Sequence, residues 1–166
     1  FDCAVVTETY TLKKKPFLKG PAAYIAGVLK VLAVKKTIPA KIKLSGVVSL
    51  DKKAPQEDIV MEKNILLTAC ANGRYCGGGF NAASLAMLND GLMDVLVVND
   101  VSRAKFISIV GNYKKGDYIS EDGSMRSSFK NVIDYCKCRR MEIVGPEMIC
   151  LDGEVIETRR EEAVVA

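Results

Sequence analysis

The chain has 166 residues, enough for one domain with a full core, and its 49% apolar and 27% charged residues exclude a chain disordered throughout. A net charge of +4 does not demand a nucleic-acid partner. Six cysteines without a CxxC pair, and no histidine at all, argue against zinc.

The cysteines read as reduced, mostly buried thiols of a cytosolic protein. Cys136 and Cys138 share a face if their segment is a strand. Lysines gather at Lys13-Lys14-Lys15, Lys35-Lys36, Lys41/Lys43 and Lys114-Lys115. Any one group suits a solvated surface, and together they could hold a protein against anionic lipid. Phe1 is not a natural start, so the sequence reads as a piece of a larger protein.

AVVTETY (Ala4–Tyr10) alternates loosely and predicts a strand. LKKKPFLKG follows as a basic loop. Pro21 can open a helix, and Ile25, Val28, Leu29, Leu32 and Ala33 give that helix one apolar stripe, with Lys35 and Lys36 at its C-terminal end. The run is too short for a membrane span and Lys30 interrupts it. KIKLSGVVSL and NILLTACA read as strands around the polar insert DKKAPQED, and DVLVVN (Asp94–Asn99) as another.

SRAKFISIVGNYKKG predicts a second helix. Ser102 is its N-cap, Phe106, Ile109, Val110 and Tyr113 form its buried stripe, and Gly116 ends it. GDYISEDGSMRSS reads as an exposed loop. VIDYCKCRRMEIVG, EMICLDG and EVIETRR read as strands joined by glycine-containing turns. The expected fold is α+β, mostly β: one antiparallel β-sandwich-like domain with two helices.

Three stretches could carry chemistry. In ANGRYCGGGF the glycines are followed by neither the lysine of a phosphate loop nor a correctly spaced third glycine. They fit a strand end where the backbone bends or another chain approaches closely. In LNDGLMDV a turn can aim carbonyls at one point beside the Asp90 carboxylate, a donor set that hard cations accept. In LDGE, Asp152 and Glu154 flank a glycine after an apolar run, and a carboxylate there can deprotonate a hydroxyl. Each of the last two is, locally, better explained by a plain turn.

Taken in order, ANGRYCGGGF, AASLAMLNDGLMDVLVV, SRAKFISIVGNYKKG and MICLDGE resemble the soluble bacterial diacylglycerol kinases, relatives of sphingosine and ceramide kinases. The resemblance covers nearly the whole chain. It implies that residues 1–166 are the C-terminal domain of a two-domain lipid kinase whose nucleotide-binding domain, with a Gly-Gly-Asp-Gly loop, is absent from this sequence. It implies transfer of the γ-phosphate of ATP to the hydroxyl of diacylglycerol or a related lipid alcohol, with Glu154 as the base and Asp152 supporting it or lying near the catalytic Mg²⁺. It also implies a structural Mg²⁺ held by the Asp90 carboxylate and the backbone carbonyls of Met87 and Leu92. Ser84 stands where the family usually has proline.

The same resemblance implies a cytoplasmic protein, peripheral at the membrane, with no nucleic-acid partner and with a homodimer as an open state. The fragment alone is expected to be inactive. The rival reading is a non-catalytic module for lipid or membrane surfaces, resting on the clustered lysines.

Overall fold

The computed structural model describes residues 2–13, 27, 30–31, 33–34, 37–50, 57–152, 154–159 and 164–165. Six strands form one antiparallel sheet. They are β1 (Ile38–Ser45), β2 (Ile59–Ala71), β3 (Met93–Asn99), β4 (Ile133–Cys138), β5 (Arg140–Val144) and β8 (Val164–Val165), in the order β4-β3-β2-β1-β5-β8. Two more, β6 (Met148–Leu151) and β7 (Glu154–Glu157), form a separate hairpin.

A single residue, Arg139, separates β4 from β5, yet these strands pair on opposite sides of the sheet. The sheet must therefore fold over on itself. Two backbone hydrogen bonds fix the fold: Val48 N to Lys137 O at 2.9 Å, and Arg139 N to Ser45 O at 3.1 Å. This is the expected sandwich-like architecture.

Strand alternation sorts the side chains. On β1, Ala40, Ile42 and Leu44 are buried and Lys41 and Lys43 are exposed. The inner face packs Ile42, Leu44, Val95, Val97, Met141 and Ile143 into one cluster. The outer face of β3 contributes Leu96 and Val98 to a second cluster under α2 (Arg103–Lys115).

Helix α2 begins and ends where the sequence signals place it. The Ser102 hydroxyl accepts from Lys105 N, and Phe106 and Ile109 are buried. Gly116 closes the helix at φ +82°, and its N–H donates to Tyr113 O. A side chain at Gly116 would be strained there and would also meet Asn81 and Ser84 at 2.5 Å.

Three expectations need correction. Ala4–Tyr10 is not a strand but part of a helix, α1 (Asp2–Lys13). Its threonines turn their hydroxyls back on the preceding turn: Thr7 donates to Cys3 O at 2.9 Å and Thr11 to Thr7 O at 3.1 Å. That satisfies β-branched polar side chains inside a helix, while burial of Val5 and packing on the β6–β7 hairpin outweigh local strand preference.

The stretch after Gly116 is not simply an exposed loop, because Tyr118 and Ile119 are buried and Ile119 bridges to Met125. The cysteines are not mostly buried either: Cys138 is, whereas Cys70 and Cys76 are exposed and Cys3, Cys136 and Cys150 are intermediate.

Of the helix expected from Pro21 to Lys36, Gly27, Lys30, Val31, Ala33 and Val34 are described and are helical. The rest lies outside the described residues, as do residues 14–20 of the basic loop and residues 51–56 of the polar insert. Among the described residues no helix is long and apolar enough to cross a membrane.

Candidate functional site

The glycine run forms one turn of 3₁₀ helix, Gly77–Gly79, after β2 has ended at Ala71. Cys76 N donates to Phe80 O at 2.9 Å and closes the bend. An added Cβ at Gly77 or Gly79 would meet nothing within 4 Å. The run is therefore a bend, with Gly79 at φ +72°, that no other described residue approaches closely at Gly77 or Gly79.

From Phe80 onward the chain is tied to the outer face of the sheet. Tyr118 Oη donates to Ala82 O at 2.8 Å and accepts from Ser84 N at 3.1 Å. Tyr135 Oη accepts from Leu85 N at 3.3 Å, and Arg74 Nε donates to Ala86 O at 3.3 Å. The rings of Phe80, Tyr113, Tyr118 and Tyr135 follow one another at centroid spacings of 5.7 to 5.9 Å. Burial pushes the Tyr118 and Tyr135 phenols above their ordinary pKa, so both stay neutral donors.

This strapped segment delivers Asp90. Asp90 Oδ1 accepts from Leu92 N at 3.0 Å, the side-chain turn that Asn-Asp-Gly favours. Asp90 Oδ2 accepts from Lys137 Nζ on β4 at 2.8 Å. The same ammonium reaches Asp94 Oδ2 on β3 at 3.1 Å, and Asp94 Oδ1 accepts from Tyr135 Oη. Asp94 and Lys137 are direct cross-strand partners. The Asp94 side chain is 0% exposed, Lys137 12% and Asp90 16%.

Two carboxylates thus share one ammonium in a place with little water. Lys137 holds the Asp90 carboxyl below the ordinary carboxylate range. By formal charge, two carboxylates against one ammonium leave one negative charge in excess, and a buried excess of charge favours a counter-ion. Asp90 Oδ1 accepts from Leu92 N and Oδ2 from Lys137 Nζ, and two carboxylate oxygens have about four lone-pair sites between them. The turn therefore fits a hydrated hard cation taking one carboxylate oxygen and neighbouring carbonyls. Among the described residues no cluster of three or more acidic or cysteine side chains has metal-binding geometry, so any cation there relies on backbone oxygen and water.

Asp94, Tyr135 and Lys137 were not among the residues the sequence reading selected. The signal of Asp94 is present in the alternation. Asp94 falls on the same face of β3 as Leu96 and Val98, an acid in an apolar row.

Asp152 and Glu154 lie elsewhere, at the β6–β7 turn. Leu151 pairs with Glu154, leaving a two-residue connection. Asp152 adopts φ +48°, the left-handed conformation that short hairpin turns require and Asp tolerates. Both acids are exposed. Among the described residues no hydrogen bond or ion pair links them to Asp90 or its partners.

A cavity of about 560 Å³ opens between α1, the helical residues around Lys30 and Val34, the start of β1 and the chain entering β6. Val31, Val34, Ile38, Pro39 and Met148 make its walls largely apolar. A Lys30–Glu8 ion pair at 2.7 Å sits at its polar side. Burial pushes the half-buried Cys136 thiol up to about 12, which leaves it almost no thiolate at neutral pH.

The family described as the YegS C-terminal NAD kinase beta sandwich-like domain matches residues 3–160. No curated protein matches the sequence. A solved structure of a diacylglycerol kinase from Bacillus anthracis str. Sterne is 20% identical, with a TM-score of 0.48, over 82% of this chain and 41% of that one. Two further structures from the same organism, whose diacylglycerol kinase assignment is itself provisional, are 21% and 19% identical, each with a TM-score of 0.49. These two cover 86% and 92% of this chain and 43% and 44% of theirs. The chain thus spans less than half the length of these proteins.

Proposed function

Because the chain belongs to the family of YegS C-terminal NAD kinase β-sandwich-like domains, we propose that it is the lipid-side domain of an ATP-dependent lipid kinase. In this reading a nucleotide-binding domain presents ATP across a cleft, and a lipid alcohol such as diacylglycerol is the acceptor. The Glu154 carboxylate accepts the hydroxyl proton as the lipid oxygen bonds to the γ-phosphorus. The bond from that phosphorus to the bridging oxygen breaks, and ADP departs. Phosphoryl transfer needs positioning and charge neutralisation more than a strong base, so an ordinary exposed carboxylate suffices. Asp152, one residue before the hairpin glycine, would add negative charge beside it and favour a closely held cation.

The observation that carries the lipid reading is the placement of the apolar cavity relative to the hairpin. Met148 lines the cavity and begins β6, and Leu151, at the other end of that strand, pairs with Glu154. Three residues of strand span roughly 10 Å. A lipid with its apolar part in the cavity could therefore extend its hydroxyl to Glu154.

At the Asp90 turn, Asp90 and the carbonyls of Met87 and Leu92 would hold Mg²⁺. When bound, the ion would supply a fixed positive charge that stiffens the turn. The Lys137 bond and the Leu92 N–H orient the carboxylate. A peripheral position at the cytoplasmic membrane face belongs to the same proposal, with the exposed lysines of β1 giving weak attraction to anionic lipid.

The test is Glu154→Gln in the full-length protein, assayed with ATP and diacylglycerol in mixed micelles. Loss of general-base help costs roughly 10²- to 10⁴-fold in turnover. Unchanged turnover would remove Glu154 from the chemistry. Salt-sensitive vesicle binding without any kinase activity in the unsubstituted protein would favour the non-catalytic surface module instead.

A further inference from the structure

Asp94 is the fully buried acid among the described residues, and no step of the proposed transfer uses it. Its two carboxylate oxygens go to Tyr135 Oη and to Lys137 Nζ. Lys137 is its cationic contact, and Lys137 is also the ammonium on Asp90, at 2.8 Å against 3.1 Å for Asp94.

The electrostatic consequence has a definite sign. An ammonium bonded to Asp90 alone would cancel that carboxylate and repel a second cation. Asp94 draws on the same ammonium from the buried side, where the field is least screened. Tyr135 stays neutral, so it adds no charge of its own.

We propose that Asp94 is a positioning residue that acts through Lys137. By sharing the ammonium it leaves the Asp90 turn with net negative charge to offer a divalent cation that Asp94 never touches. The inference rests on the cation reading of the Asp90 turn given above.

A merely structural Asp94–Lys137 pair makes a different prediction. It would pin β3 to β4, and loss of either partner would loosen the turn and weaken the cation. The shared-charge account instead predicts that the two losses compensate each other.

Mn²⁺ binding to the full-length protein, followed by electron paramagnetic resonance, separates the accounts. Asp94→Asn should weaken Mn²⁺ roughly tenfold, because Lys137 then turns wholly to Asp90. Adding Lys137→Met to Asp94→Asn should restore affinity to near the unsubstituted value. Lys137→Met alone should tighten binding, and this decides the matter if Asp94→Asn does not fold. Unchanged affinity in Asp94→Asn, no rescue in the double variant, or weaker binding in Lys137→Met overturns the inference.

Failure of the underlying cation reading looks different. Either the unsubstituted protein binds no Mn²⁺, or Asp90→Asn binds it undiminished. Both results overturn the cation site and the inference with it.

Discussion

Asp90 and Glu154 are each a carboxylate at a tight turn, and the two turns are built in opposite ways. The Asp90 turn is held from behind by Lys137, by its own Leu92 N–H and by a segment bonded to Tyr118 and Tyr135. The Glu154 turn is the exposed tip of a two-stranded hairpin resting on α1. The first geometry is determined by this domain's own interior. The second owes little to the interior, and a hairpin of two strands has little stability of its own. Such a tip has no buried network behind it to disturb.

The sharpest way to break this contrast is through Tyr118, 0% exposed and the centre of the aromatic row. Tyr118→Ala should cost about 3–5 kcal/mol in urea unfolding, as for other buried aromatic truncations. Tyr118→Phe keeps the ring but strands Ser84 N–H and Ala82 O, and should cost about 1–3 kcal/mol. If Tyr118→Phe were neutral, the segment before Asp90 would not depend on these bonds.

A smaller effect tests the charge behind the turn. Lys137 lowers the folded-state pKa of Asp90 below its unfolded value, with the Leu92 N–H adding to this and burial opposing it. A depressed carboxylate contributes stability above its unfolded pKa, about 3.9, and that stability is lost as pH falls through the folded value. Asp90→Asn should therefore be less stable than the unsubstituted protein at neutral pH, and the gap should close below about pH 4. Urea unfolding at several pH values measures it. A gap that stays constant with pH would mean that the Asp90 charge contributes nothing.

Much of this frame was legible in the sequence where a local period decides the outcome. The alternation of Ala40, Ile42 and Leu44 with Lys41 and Lys43 is the burial pattern of β1. The Phe106–Ile109 stripe, the Ser102 cap and the Gly116 stop delimit α2. Where tertiary contacts decide, the local signal misled. Val5 is buried in a helix whose sequence alternates, and Tyr118 is buried in a stretch rich in Gly, Asp and Ser. The Asp90 turn could be read from Asn-Asp-Gly. Its partner Lys137 could not, because the pairing of Asp94 with Lys137 depends on strand register across 43 residues, which no local pattern specifies.

The smallest effect concerns the hairpin tip. Glu154 is exposed, and beyond its backbone pairing with Leu151 its side chain makes no hydrogen bond or ion pair among the described residues. Glu154→Gln should therefore leave the unfolding free energy within about 0.5 kcal/mol, the usual range for surface substitutions away from structural features. Paired with the turnover loss expected of the same variant, that near-zero change separates a group retained for chemistry from one retained for folding. A stability loss beyond 1–2 kcal/mol, on the scale of the Tyr118→Phe cost, would mean that the tip is bound into the domain as firmly as the Asp90 turn. The drop in turnover could then reflect a displaced hairpin, and the two turns would no longer stand as opposites.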